Sequence, residues 1–253
     1  MNGLTTAQKA SYERDGFVVV EGVLNGDECD DMIGHMDSLQ SGRKELEGFE
    51  PREPDNLNRT HNQHLYDPKA LELLLHQGLR RPLADCFNDE AEGIQTMYFW
   101  TGSEQRRHQD QFYLPGCMSA WLALEDVSRR NGTIYVQPGS HKLHLVTRAE
   151  LTERFGDNRN LDGGPYNDCV DEQFEKNELP ETPVEVSKGD VVLFHGVLIH
   201  RGGPIDEPGS SRHVMANHYI PYHFDDWPHH AWLRFDFDGN RRHHPAPEEA
   251  AGD

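Results

Sequence analysis

The chain has 253 residues, 35% of them hydrophobic, with a formal net charge of -20 and a pI near 5.1. An acidic surface of this kind argues against nucleic acid and anionic membranes as partners, because both carry negative charge themselves. No apolar stretch approaches the ~18 residues that a membrane span needs, and the first residues lack an apolar secretory core, so we expect a cytoplasmic protein. The four cysteines are widely spaced, match no metal or disulfide framework and are expected to be reduced.

The first part of the chain combines helical and extended patterns. The predicted elements are a helix over 5–15, an apolar β-branched strand over 17–22 and a helix over about 28–39. Residues 41–66 are polar and interrupted by proline, which predicts a long loop of the kind that closes over a binding site. A third helix follows Pro68, and we expect Pro82 to break it near Leu83.

From Gly93 onward the hydrophobic pattern changes to period two, which predicts strands. Strands are expected at 94–100, around His108, and at 119–126, 133–136, 184–186, 190–194 and 213–219. A charged insertion at 141–182 interrupts them, with short helices expected near 148–155 and 170–176. Helices followed by many short strands with Gly and Pro turns favour a mainly β protein, a sandwich or barrel with flanking α-helices.

The segment around His108 and Asp110 is the first candidate site. In an extended strand, residues two apart project to the same face, so this imidazole and carboxylate would converge on one point. Taken alone, the pair is better explained as a surface ion pair. A metal ion would attract both groups but needs a third ligand, and His200, just before a Gly-Gly turn, is favoured over His195, which lies inside an apolar run. Two histidines and one carboxylate form the ligand set of non-haem Fe(II) oxygenases.

Several motifs in order resemble the phytanoyl-CoA dioxygenase family, whose members are Fe(II)- and 2-oxoglutarate-dependent oxygenases. The resemblance covers about residues 10–222 and implies a double-stranded β-helix, the cupin-like jelly roll. The motifs that carry it are His108-Gln109-Asp110, Trp121-Leu122-Ala123-Leu124-Glu125-Asp126, Asn131-Gly132-Thr133, Pro138-Gly139-Ser140-His141-Lys142, Lys188-Gly189-Asp190 and His200.

The resemblance implies a role for each matched residue. His108, Asp110 and His200 would hold Fe(II), and the planar guanidinium of Arg212 would bind the distal carboxylate of 2-oxoglutarate. Trp121 would line the cosubstrate pocket. The further hydrogen-bond partners that we expect for 2-oxoglutarate are Gln95, Tyr98 and Thr133.

Two positions refine the expected chemistry. Relatives that halogenate carry a small residue in place of the carboxylate, so Asp110 implies oxygenation by hydroxylation or oxidative ring closure, with O2 as oxidant. The family often has a small hydroxyl residue just past the distal histidine, where this chain has Gly202.

The substrate follows less directly from the sequence. The acidic charge favours a neutral or cationic small molecule, although solubility explains the charge equally well. We expect a polar natural product, such as a sugar, an oligosaccharide or an aminocyclitol of antibiotic biosynthesis. The alternatives are an acyl-CoA or other small metabolite, a non-catalytic jelly-roll binding protein, and a cupin-like zinc or manganese isomerase or hydrolase.

These expectations define one oxygenase domain over 1–240. Within it, 41–66 would form a lid loop and 141–182 an insertion over the active site, followed by a flexible tail at 241–253. The protein is expected to be a monomer or homodimer with a small-molecule substrate, without nucleic-acid or membrane partners.

Overall fold

A computed structural model describes residues 3–52, 59–157 and 160–244. The six α-helices of this part are α1 (Thr6–Asp15), α2 (Gly26–Gln40), α3 (Pro68–Leu74), α4 (Gln77–Phe87), α5 (Arg148–Phe155) and α6 (Gly164–Asn177). The ten strands described there are β1 (Phe17–Val20), β2 (Ala91–Phe99), β3 (Met118–Ala123), β4 (Ile134–Val136), β5 (Thr182–Pro183), β6 (Val191–His195), β7 (His200–Gly202), β8 (Val214–Pro221), β9 (Leu233–Asp236) and β10 (Arg241–His243).

The strands form two antiparallel sheets. The larger sheet has seven strands in the order β1-β6-β3-β8-β2-β9-β10, and the smaller has three in the order β5-β4-β7. Neighbouring strands are mostly distant in the sequence, as expected for a jelly roll, in which the chain crosses between sheets. The predicted fold class, mainly β with flanking helices, is confirmed.

Side-chain alternation divides the apolar residues of the large sheet between two cores. On β3, Ala120 and Leu122 pack with the helical layer, whereas Trp121 and Ala123 join the cluster between the sheets. The same alternation continues through β6 and β8. The large sheet is therefore covered on both faces, and all six residues of β3 are buried.

The predicted helices are found, with one error at the third. α3 ends at Leu74 and α4 begins at Gln77, so the break lies before Pro82, which is buried inside α4. Proline removes one helical hydrogen bond, but its fixed φ suits the helix and its ring packs in the core. Within the three described ranges, no helix combines the length and apolarity that crossing a membrane requires.

The structure corrects two further predictions. His108 makes only an isolated bridge to His200, and Asp110 begins a 3-10 turn, so the expected strand around His108 is absent from this described segment. The tail prediction is wrong for Arg241–His243, which pair with β9 as β10, whereas residues 245–253 lie outside the described part.

Burial of His64 makes the fold sensitive to acid. The imidazole is 3% exposed, and burial lowers its pKa from 6.5 to about 4. Between pH 6.5 and 4 the unfolded chain binds a proton here that the folded chain does not, so stability falls as pH falls. The free energy of unfolding should fall between pH 7 and pH 5. In His64→Gln this fall, measured by urea titration, should be smaller by about 2 kcal/mol. His243→Gln, an exposed control, should not change that fall; an unchanged pH dependence in His64→Gln would contradict this assignment.

Candidate active site

The two histidines of the predicted metal cluster face each other across a backbone bridge. The amide of His108 donates to the carbonyl of His200 at 2.9 Å, and the amide of His200 donates back at 3.1 Å. The 3-10 turn that begins at Asp110 then directs its carboxylate toward both imidazoles. Residues almost a hundred positions apart are thereby fixed as direct neighbours.

The ligand atoms of His108, Asp110 and His200 all lie within 4.8 Å of one another. Oδ1 of Asp110 is 3.5 Å from Nε2 of His108 and 3.6 Å from Nε2 of His200. All three residues are buried, and the ring centroids of the histidines are 4.1 Å apart. Two nitrogens and one oxygen thus converge at a spacing that suits a single ion.

The atoms that face away from this point are held by the protein. Nδ1 of His108 donates to the carbonyl of Arg106 at 2.9 Å, and Nδ1 of His200 donates to the carbonyl of Leu198 at 3.0 Å. These bonds select the tautomer whose Nε2 carries a free lone pair, as in most metal-binding histidines. The third ligand is held in the same way, because Oδ2 of Asp110 accepts from the Ser119 hydroxyl at 2.6 Å.

The charge states also suit a metal site. Burial, followed by the neighbouring His200, lowers the pKa of His108 from 6.5 to about 3. Burial alone would raise the pKa of Asp110, but the three histidines around it, His200, His218 and His108, hold that pKa well below its usual value. The cluster therefore presents a neutral imidazole and an ionised carboxylate, which are the metal-binding forms.

A narrow pocket of about 50 Å³ extends from this cluster to Arg212. The Arg212 side chain is 1% exposed and donates from Nη1 to the carbonyl of Gly132 at 2.9 Å. Its Cζ lies 5.1 Å from the Phe99 ring and 5.6 Å from the Trp121 ring. Nε has no hydrogen-bond partner in the described part of the chain, and burial lowers the pKa of Arg212 from 12.5 to about 10. A buried guanidinium with an unsatisfied donor is suited to bind a carboxylate.

A second, larger cavity of about 430 Å³ also borders His108 and Asp110. Its size falls in the range of sites that enclose a small organic molecule. Arg59 and His61 contribute to its wall from the 41–66 segment, and Arg148 contributes from the 141–182 segment. Both segments therefore supply wall residues of the larger cavity.

Comparison with known proteins assigns the family. A model of the family described as Phytanoyl-CoA dioxygenase (PhyH) matches residues 12–214. The chain belongs to the phytanoyl-CoA dioxygenase family. This membership confirms the family and the dioxygenase class that the sequence predicts.

Curated relatives of this phytanoyl-CoA dioxygenase family member agree with the assignment. Phytanoyl-CoA dioxygenase 1 of Oryza sativa subsp. japonica is 34% identical over 152 residues, and the match covers 56% of this chain but only 49% of the rice protein. The chain thus spans about half the length of that relative. Phytanoyl-CoA dioxygenase domain-containing protein 1 of Danio rerio is 25% identical over 293 residues, covering 92% of this chain and 96% of the fish protein.

Solved structures similar to this family member share its fold. EctD from S. alaskensis with bound Fe has a TM-score of 0.67 at 19% identity and covers 86% of this chain and 77% of its own. HygX from Streptomyces hygroscopicus with nickel and 2-oxoglutarate bound has a TM-score of 0.62 at 21% identity, covering 88% and 89%. The epimerase SnoN from nogalamycin biosynthesis has a TM-score of 0.63 at 17% identity, covering 98% and 90%.

Three residues predicted to bind 2-oxoglutarate do not line the narrow pocket. Gln95 lies on the correct face of β2 but borders the larger cavity. Tyr98 points to the opposite face, into the helical core, where its hydroxyl contacts Nδ1 of His213 at 2.6 Å. Thr133 is fully buried, and its hydroxyl donates to the carbonyl of Val184. Strand alternation excludes Tyr98, and a satisfied hydroxyl excludes Thr133.

Sequence reasoning missed two polar residues that contact Asp110. Besides Ser119, Nε2 of His218 lies 3.4 Å from Oδ2 of Asp110. His218 on β8 is directly opposite Ser119 on β3 and Gln95 on β2. Strand alternation offered a signal for His218. It lies an even number of residues after Arg212, so in an extended segment the two side chains point to the same face. Ser119 carried no comparable signal, since a serine in an apolar strand is commonly structural.

Gly202 is required by close backbone packing. Its amide donates to the carbonyl of Gln105 at 2.9 Å, and an added Cβ would lie 2.7 Å from the Gln105 nitrogen and 2.9 Å from the Glu104 nitrogen. The segment that precedes His108 therefore occupies the space of the hydroxyl residue expected at this position.

We predict that Gly202→Ser lowers the free energy of unfolding by about 1–3 kcal/mol, because backbone atoms cannot move aside as a flexible side chain can. Urea denaturation measures this difference. Gly34→Ser, in α2 with no neighbour within 4 Å of its added Cβ, is the matched control and should unfold like the parent. Equal stability of Gly202→Ser and the parent would show that residues 104–105 can shift.

Proposed function

We propose that this family member is an Fe(II)- and 2-oxoglutarate-dependent dioxygenase in which His108, Asp110 and His200 hold the iron. The observation that carries the proposal is the convergence of their ligand atoms within 4.8 Å. The hydrogen bonds to Arg106, Leu198 and Ser119 support it, because they orient the three side chains so that Nε2 of each histidine and Oδ1 of Asp110 face one another. Three protein ligands leave open positions for cosubstrate and O2.

Arg212 is proposed to anchor the distal carboxylate of 2-oxoglutarate in the narrow pocket. The unsatisfied Nε of this buried guanidinium supports the role. Phe99 and Trp121 lie beside the guanidinium and are neutral, so they do not compete with an anion for its charge. Among the described residues, no carboxylate makes an ion pair with Arg212 within 4 Å. The pocket wall is otherwise mainly apolar, which would exclude water from the cosubstrate.

Iron with 2-oxoglutarate and O2 would supply the oxidising chemistry, which is hydroxylation or oxidative ring closure of the substrate. The protein's own contribution is positional. Ser119 fixes the outer oxygen of Asp110, and the His108–His200 bridge fixes the separation of the two imidazoles. The larger cavity, whose described wall residues do not include Arg212, would place a substrate beside His108 and Asp110.

The substrate that we propose is a polar small molecule, in the class of natural-product sugars, oligosaccharides and aminocyclitols considered above. The arginine, histidine and glutamine side chains in the wall of the larger cavity support this class, because they offer hydrogen bonds to a polar molecule. The description of SnoN as an epimerase from nogalamycin biosynthesis is consistent with it, although that likeness is one of fold. An acyl-CoA remains the second candidate, because the names of the curated relatives refer to phytanoyl-CoA.

Loss of one ligand should abolish iron binding. In anaerobic Fe(II) titrations of the full chain, Asp110→Ala and His200→Gln should weaken binding by at least about 100-fold, since even residues that only support a ligand contribute about 10- to 100-fold. Aerobic succinate formation from 2-oxoglutarate should fall with it.

His195→Gln is the matched control, because His195 was the competing sequence candidate and lies outside the cluster. Its Nδ1 accepts from the amide of Val197 at 3.1 Å instead. This variant should bind iron like the parent. Tight Fe(II) binding by Asp110→Ala, or loss of binding in His195→Gln alone, would refute the proposed ligand set.

Replacement of Arg212 should act on the cosubstrate rather than on the metal. Arg212→Gln should raise the KM for 2-oxoglutarate at least about tenfold, whereas Arg212→Lys, which retains charge without the fork, should give an intermediate value. Succinate formation at varied 2-oxoglutarate concentration measures the change. The exposed Arg130, paired with Glu207 at 2.6 Å, provides the control Arg130→Gln, for which the KM should be unchanged. An unchanged KM in Arg212→Gln would contradict the assignment.

A further inference from the structure

The larger cavity is lined mainly by cationic and neutral side chains, although the whole chain is strongly acidic. The chain carries -20, yet the described wall residues of this cavity include two arginines and four histidines. The one acidic residue among them is Asp110, which the proposed function assigns to iron. A substrate in this cavity would therefore meet cationic and neutral groups and no carboxylate that is free to bind it.

Arg59 is the arginine of this wall whose side-chain partners are neutral. Its Nη1 donates to Oε1 of Gln105 at 2.7 Å, and its Nε donates to Nε2 of His61 at 3.3 Å. Burial, followed by the charge of Arg59, lowers the pKa of His61, so this imidazole is a neutral acceptor. Among the described residues, no carboxylate forms an ion pair with Arg59.

Arg148, the other arginine of the wall, provides an internal contrast. Its guanidinium forms an ion pair with Asp162 and lies 4.7 Å over the Phe112 ring. Its charge is already balanced, and its side chain is about half exposed, at 55%. Arg148 therefore offers a weaker attraction to an anion than Arg59 does.

The position of Arg59 relates it to the reaction centre. Gln105, which accepts from Arg59, also lies with its amide nitrogen 3.2 Å from Nε2 of His108. The carboxylate of Asp110 is near enough to act on the pKa of Arg59, although burial dominates and lowers that pKa. An anion paired with Arg59 would thus lie in the larger cavity, beside the proposed iron.

We propose that the substrate carries an anionic group, a carboxylate or a phosphate, and that Arg59 binds it. The inference rests on the proposed function and narrows its substrate class. It favours acidic polar molecules and disfavours aminocyclitols and other amines, whose positive charge would be repelled by Arg59. A partly buried guanidinium with neutral partners gains most from an anion, because charge-assisted hydrogen bonds strengthen as water is excluded.

The test compares probes that differ in charge. The acid is 4-phenylbutyrate, its neutral counterpart is 4-phenylbutyramide, its cationic counterpart is 4-phenylbutylamine, and phenyl phosphate represents phosphates. Dissociation constants are measured anaerobically by NMR titration of the full chain with Fe(II) and 2-oxoglutarate present. The parent should bind at least one anion about tenfold or more tightly than the neutral probe, and the amine most weakly. The preferred anion distinguishes a carboxylate from a phosphate.

Variants assign this preference to one side chain. Arg59→Gln should reduce the acid-to-amide ratio to below about threefold, and Arg59→Lys should retain an intermediate ratio, which excludes a general folding defect. The surface variant Arg130→Gln should keep the parent ratio.

Four results would overturn the proposal: no anion preference in the parent, no binding of any probe, an unchanged ratio in Arg59→Gln, or a loss of 2-oxoglutarate affinity in Arg59→Gln that exceeds the loss for the acid. The last result would assign Arg59 to the cosubstrate. Because these are binding measurements without turnover, they can fail while iron binding by the three proposed ligands succeeds.

Discussion

The pair of backbone hydrogen bonds between His108 and His200 is the constraint on which the site depends. A peptide bridge fixes two side chains more rigidly than side-chain packing alone, and here it fixes the two imidazoles that face Asp110. The jelly-roll topology makes the bridge possible, because it brings the segment after β2 alongside β7. Gly202 belongs to the same arrangement, since the chain that leads to His108 passes too close to it for a side chain.

Two cavities border this cluster, and their walls differ in residue composition. The narrow pocket is mostly apolar and ends at Arg212, a buried cation with one donor unsatisfied. The larger cavity contains two arginines and four histidines, and the described hydrogen-bond partners of Arg59 are neutral, so its charge is not balanced by them. In both cavities the wall includes a guanidinium with no ion-pair partner among the described residues. The net charge of the chain does not reveal these two arginines, because surface carboxylates dominate the net charge.

The sequence correctly indicated what depends on local pattern and on order of motifs. Period-two alternation and apolar runs indicated most strands of the large sheet, cap residues indicated the first two helix starts, and the series of motifs indicated the family. The pattern missed β7, β9 and β10, and the strand expected at 184–186 is reduced to one bridge at Val186. Strand alternation also argues against Tyr98 as a partner of 2-oxoglutarate, because it places Tyr98 on the opposite face of β2 from Gln95. The failures were of another kind. Pro82 was assumed to break a helix that tolerates it, and His108 was assigned to a strand although it makes a single bridge.

What the sequence by itself determined is the set of residue types and the family to which their order belongs. What only the tertiary structure decided is which atoms meet. The partners of Asp110, Ser119 and His218, come from strands that are adjacent in the sheet but distant in the chain, so no local pattern specifies them. The same is true of Arg59, because whether a guanidinium has an anionic partner depends on every segment packed around it. Local sequence sets the direction of a side chain, whereas burial and pairing are properties of the assembled fold.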